Sequence, residues 1–98
     1  MTPEGKVKDQ LNKALKPFGL KLYKFMPVQT GYGRKTLDYL LCVNGQFIAI
    51  ETKAPGKKMT QLQLETACQI TAAGGMVFMV DGSDGIDRVV GHLISICA

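Results

Sequence analysis

The chain has 98 residues, 46% of them hydrophobic, and a formal net charge of +4. Such a length holds one domain, residues 1–98, with a thin core that a partner subunit would help to close. No apolar run approaches the roughly 20 residues that span a bilayer, and the N-terminus MTPEGKVKDQ lacks the apolar core of a signal peptide, so a soluble, unexported, cytoplasmic protein is expected.

Charge is unevenly spread. Residues 1–58 carry eleven Lys and Arg against four acids, a balance of +7, whereas residues 59–98 carry one Arg against four acids. A basic half fits either a solvated lysine face or a polyanionic partner such as DNA. Cys42, Cys68 and Cys97 are widely spaced in apolar surroundings, and a single His92 accompanies them. Buried reduced thiols are therefore expected in place of a disulfide framework or a zinc cluster.

In chain order, Thr2-Pro3-Glu4 reads as a helix start, with Thr2 at the N-cap and Pro3 at the first helical position. Val7, Leu11, Ala14, Leu15 and Phe18 follow at helical spacing until Pro17 and Gly19 close the element. Glu4 falls on the same apolar stripe. It either complements the helix dipole or points inward toward a site. Leu20 to Met26, where Leu20, Leu22 and Phe25 mix with Lys21, Tyr23 and Lys24, reads as a first strand with a solvated face. The following segment, Gln29 to Lys35, holds two glycines, Tyr32, Arg34 and Lys35, a composition suited to close approach and phosphate contact.

Thr36 to Lys53 contains two alternating apolar runs joined by Asn44-Gly45, the hairpin dipeptide. A two-residue type I′ turn there sets Val43 opposite Gln46, and the same count sets Asp38 opposite Glu51 as a non-hydrogen-bonded pair, Cβ atoms roughly 4.5–5.5 Å apart. Lys53, two residues beyond Glu51, shares their face. Two carboxylates so close repel, and a fold that keeps them there is expected to supply a cation. After a turn over Ala54 to Lys58, Thr60 opens a helix to about Ala73 that Gly74-Gly75 ends. Gln63 either completes a capping box with Thr60 or, sharing a stripe with Ala67 and Ile70, reaches toward the sheet. Met76 to Val80 reads as a buried strand with a parallel neighbour. Ser83 is then expected to cap a last helix with Ile86, Val89, Val90, Leu93, Ile94 and Cys97 inward, a stripe wide enough to suggest a dimer contact at Ile94. The order αβββαβα predicts an α/β fold, a mixed sheet flanked by helices.

Asp38, Glu51 and Lys53 offer hard oxygen ligands beside a cation, the set for Mg²⁺ acting on a phosphodiester. A backbone carbonyl such as that of Thr52, with waters or phosphate oxygens, would complete the shell. Lys53 would orient the attacking water or stabilise charge on the phosphate.

The set Asp38…Glu51-Thr52-Lys53 resembles the motif of the PD-(D/E)xK nucleases. Glu51 to Lys58, ETKAPGKK, followed by Gln63, is similar to their VRR-NUC (virus-type replication and repair nuclease) branch. The likeness spans Glu4 to about Asp81, and the stand-alone size is similar to phage and bacterial members. It implies a restriction-endonuclease-like core with Asp38 and Glu51 as metal ligands and Lys53 as the catalytic lysine. Glu4 would reach the metal through water, and Gln63 would support the site from the next helix. Leu37 stands where the family usually has proline. The resemblance further implies a Mg²⁺- or Mn²⁺-dependent, homodimeric endonuclease of DNA repair and recombination, similar to Holliday junction resolvases and leaving 5′-phosphates. On that reading the basic loop and turn residues Tyr32, Arg34, Lys35, Lys57 and Lys58 are the expected DNA contacts. A non-catalytic DNA-binding module of the same fold and a nuclease of ordinary duplex are the alternatives.

Overall fold

The computed structural model describes residues 1–28 and 35–98, so Tyr32 and Arg34 lie outside the described residues. The chain runs through α1 (Pro3–Leu15), a 3-10 stretch (Lys16–Lys21), β1 (Leu22–Phe25), β2 (Tyr39–Val43), β3 (Gln46–Thr52), α2 (Gln61–Ala72), β4 (Met76–Val80) and α3 (Ser83–Cys97). This is the expected order. The strands form one four-stranded sheet, β1-β2-β3-β4, in which β4 lies parallel to β3 and the other pairs are antiparallel. None of the described helices is long and apolar enough to cross a membrane.

The hairpin follows its turn residues. Asn44 (φ 50) and Gly45 (φ 76) take the left-handed conformations that a type I′ turn requires, and Val43 pairs with Gln46. Counting outward, the Cα pairs end at Tyr39 and Ile50, one step short of Asp38 and Glu51. Asp38 sits on a bend at the mouth of the hairpin.

With a side-chain period of two, Tyr39, Leu41, Val43, Ile48 and Ile50 point to one face of the sheet. There they meet Val7, Leu11 and Leu15 of α1 and Ile86, Val89 and Leu93 of α3. The same alternation turns Glu51 to the other face, the side of α2. Leu11 is wholly buried at the centre of this core. Leu11→Ala is expected to lower the unfolding free energy by about 2–5 kcal/mol, a large share of the roughly 5–15 kcal/mol such a domain holds. Urea denaturation measures the loss.

Several expectations are corrected. The first strand begins at Leu22, because Pro17 starts a 3-10 turn and Gly19 (φ 55) kinks it, leaving Leu20 fully exposed. Phe25 is exposed as well: it lies three residues from Leu22, and an odd spacing along a strand puts the two on opposite faces. Ser83 does not cap α3. Gly82 is the last extended residue and the Ile86 N–H bonds its carbonyl at 3.2 Å, so Ser83 already stands inside the helix. Cys42 and Cys68 are exposed and Cys97 half-buried, against the expectation of buried thiols. Cys42 alternates with Leu41 and Val43, which take the core face, and Cys68 lies on the outer side of α2. Ile94 points away from the chain's own core, 59% exposed, so it does not belong to the inward stripe.

Candidate active site

Asp38 and Glu51 meet where the β2-β3 ladder stops, and each accepts a backbone hydrogen bond across the mouth of the hairpin. The Asp38 N–H donates to Glu51 Oε1 at 3.2 Å, while the Thr52 N–H and hydroxyl both donate to Asp38 Oδ2, at 3.0 and 2.6 Å. Side-chain oxygens thus accept from backbone groups at a mouth the ladder has left unpaired. The result is two carboxylates held side by side by neutral donors, with Asp38 Oδ1 left to face the ammonium of Lys8 at 3.9 Å.

Glu51 is buried, 3% exposed. Burial, followed by the negative charge of Asp38, pushes its pKa up to about 7 from the usual 4.5, against the opposing pull of Lys53 and the Asp38 N–H bond. A more distant Glu4 charge pushes the same way. Lys53 Nζ lies 3.7 Å from Glu51 Oε2 with its side chain largely buried. Lys53 and Glu51 share one side of the strand, as the hairpin count expected, whereas Asp38 lies beyond the last pair of the ladder and meets Glu51 through its N–H while its carboxylate turns to Thr52 and Lys8.

Gln63 does both things that the sequence left as alternatives. Its Oε1 accepts from the Thr60 N–H at 2.9 Å, closing the capping box, and its Nε2 donates to Glu51 Oε2 at 2.9 Å. A backbone N–H is donor only, so the carbonyl end of the amide must face Thr60. The amino end is thereby committed to Glu51. Gln63→Leu, which severs both side-chain bonds, is expected to destabilise the fold by about 1–2 kcal/mol through the lost reciprocal half of the capping box and to loosen Glu51. Gln63→Glu keeps the cap acceptor but sets a third acid against Glu51. A further rise in the Glu51 pKa, read by carboxyl NMR titration, checks it.

Glu4 reaches only the rim. Its half-exposed carboxylate pairs with Lys8 at 3.6 Å, one turn along α1. Among the described residues no three of His, Cys, Asp and Glu gather closely enough to hold an ion by themselves. The site is a pair of acids with a third behind a lysine. Lys35 lines a hollow of about 280 Å³ together with Asp38, Thr60 and Gln63. Lys57 and Lys58 are exposed on the turn after β3, where the Gly56 N–H bonds Asp81 at 3.3 Å. Leu37, in the position the resemblance would give to proline, is fully buried.

Three contributors escaped the sequence reading. Lys8 lies four residues from Glu4, so helical spacing alone places it beside that acid. The Thr52 hydroxyl grips Asp38 from a residue valued only for its backbone. The third is Tyr39, whose hydroxyl donates to Asn12 Oδ1 at 3.0 Å and to the Lys8 carbonyl at 3.4 Å, tying α1 to the strand that leads from Asp38. Burial, then the Asp38 charge, raises the Tyr39 pKa to about 12 despite the Asn12 bond, so the phenol stays a donor at neutral pH. No protein-family model matches the chain, and no curated protein matches it in sequence.

Proposed function

We propose that the chain is a Mg²⁺- or Mn²⁺-dependent, structure-selective DNA endonuclease of the VRR-NUC kind with a restriction-endonuclease-like core, cleaving four-way junctions or related branched DNA by phosphodiester hydrolysis. One observation carries this reading: Asp38, Glu51, Lys53 and Gln63, drawn from three separate stretches of the chain, form one hydrogen-bonded and ion-paired cluster in which a buried carboxylate is kept beside another. A purely structural site has no need of two acids together, since the repulsion costs stability.

The residues fit a hard divalent cation. Asp38 Oδ1 and the remaining lone pairs of Glu51 are oxygen donors, and a dipositive ion would offset the repulsion that raises the Glu51 pKa. Asp38, Glu51 and the Thr52 carbonyl would hold it, with Glu4 reaching it through water. Bound there, it would lower the pKa of a coordinated water and neutralise phosphate charge. The chain's own residues do the positioning. Gln63 and the Asp38 N–H fix the two oxygens of Glu51, Thr52 fixes Asp38, and the sheltered Lys53 would orient an attacking water or stabilise a charged phosphate oxygen. Lys35, Lys57 and Lys58, all exposed, suit contact with the DNA backbone, which supplies most sequence-independent affinity.

Paired cuts across a junction call for two sites related by a two-fold axis, so we place this activity in a homodimer with exposed Ile94 at its contact. Light scattering at micromolar concentration tests it: a monomeric mass counts against the dimer.

The function itself is tested by incubating wild type and Glu51→Ala with labelled junction, flap and linear DNA and Mg²⁺ or Mn²⁺. Cleavage of branched DNA by wild type alone is expected. Equal nicking by the two proteins overturns the site. Binding that survives chelator without cleavage in any divalent metal makes the chain a binding module, and equal cutting of linear and branched DNA makes it a duplex nuclease.

A further inference from the structure

We infer that Lys8 is a built-in counter-ion of the acidic pair, occupying the free oxygen of Asp38 until a divalent cation displaces it and then turning to a DNA phosphate. The inference rests on the metal-site reading above and assigns to that site a residue on α1 with a role in both metal loading and DNA contact.

The two oxygens of Asp38 are unlike. Oδ2 takes two donors from Thr52, at 2.6 and 3.0 Å, and Oδ1 faces the Lys8 ammonium at 3.9 Å. Oδ1 is therefore the oxygen with capacity for a ligand, and Lys8 is the cation already beside it. The same ammonium lies 3.6 Å from Glu4 Oε2, so one lysine stands between the two acids on this side of the site. Its separations exceed the 2.7–2.9 Å of a tight charge-assisted hydrogen bond. The contact is a loose ion pair, and a third of the Lys8 side chain is open to solvent. A lysine so held screens the acids without being committed to them.

The placement of the lysine is not left to its flexible stem. The Tyr39 hydroxyl donates to the Lys8 carbonyl at 3.4 Å and to Asn12 Oδ1 at 3.0 Å, one turn further along α1, and Tyr39 is the residue after Asp38. Helix and strand are thus joined at Asn12 and Lys8 on one side and at the neighbour of Asp38 on the other. A divalent ion and an ammonium compete for one carboxylate oxygen, and the ion carries twice the charge. Once displaced, the ammonium remains within its stem's reach of the same cleft, where the scissile phosphate brings negative charge.

Lys8→Met keeps the stem and removes the charge. Without DNA, Mn²⁺ binding followed by electron paramagnetic resonance is expected to tighten about tenfold in this variant, because the competitor is gone. Binding of a labelled four-way junction in Ca²⁺ is expected to weaken about threefold with a salt slope smaller by about 1, and to change little in chelator, where Lys8 stays on the acids. Lys8→Arg is expected to restore wild-type values in both assays. A surface lysine with only a structural role does not tighten metal binding when removed. Equal or weaker Mn²⁺ affinity in Lys8→Met overturns the inference and leaves the nuclease reading standing. Absence of Mn²⁺ binding in wild type and variant alike overturns the metal site, and this inference with it.

Discussion

Lys53→Ala is expected to bind DNA within about threefold of wild type while losing roughly 10²–10⁴ of its cleavage rate. The separation follows from where the ammonium lies. Its side chain is 14% exposed and 3.7 Å from Glu51 Oε2, too sheltered to serve as a general phosphate anchor and close enough to act on the reacting groups. Lys35, Lys57 and Lys58 are exposed, and on the proposed reading they would still hold the DNA backbone. The substitution has a second signature. Lys53 pulls the Glu51 pKa down, so its removal pushes that pKa further up in the metal-free protein, and the pH at which the variant loads metal should shift upward. Filter binding in Ca²⁺, single-turnover cleavage in Mg²⁺ and a pH profile measure the three effects. Equal losses in binding and cleavage would recast Lys53 as a phosphate anchor.

The second large effect is a stability that falls as pH rises, reversed by divalent metal. Glu51 ionises near 4.5 in the unfolded chain and near 7 in the folded one. Between those values the folded state binds more protons than the unfolded state, so unfolding free energy decreases with pH. The favourable contribution is complete below pH 4.5 and is lost as pH passes through 7. Allowing for solvent screening at the mouth of the site, the loss from pH 4.5 to 8 amounts to roughly 1–2 kcal/mol, or about 5–10 °C in Tm for a domain of this size. Glu51→Gln lacks the titration, and its stability curve should run flatter than wild type by that difference. Mg²⁺ or Mn²⁺ at pH 8 is expected to raise the wild-type Tm and to do much less at pH 5, where the proton competes for Glu51. Chelator should reverse the gain, and Glu51→Gln should show little of it. Thermal unfolding of both proteins across pH, with and without metal, measures all of this. A metal-induced shift of equal size in Glu51→Gln would remove Glu51 from the ligand set.

The parts of this protein legible in its sequence are those set by local geometry. Asn44-Gly45 selects one turn, the turn selects one register, and a period of two then brings Asp38 to Glu51 and aligns Lys53 with it. Thr2 and Thr60 cap their helices for the equally local reason that a hydroxyl bonds an N–H three residues on. Element order and the parallel β3-β4 pairing followed from hydrophobic period and a single crossover helix.

What only the tertiary structure decided depends on how separate elements pack, because pairing and burial across the fold are not properties of spacing along the chain. Docking of α2 on the sheet let one Gln63 amide serve two partners that the sequence posed as alternatives. Seating α1 over Tyr39 brought Lys8 to Asp38 across thirty residues of sequence, a contact that no local rule could supply. The unpaired mouth of the hairpin turned the Thr52 hydroxyl onto Asp38, and closure around Glu51 raised its pKa to about 7. Exposure of Cys42 and Ile94 was decided in the same way, by three helices that leave parts of the sheet and of α3 uncovered. The sequence by itself determined that two acids and a lysine meet; the packing decided which oxygen of Asp38 is left free and which cation waits beside it.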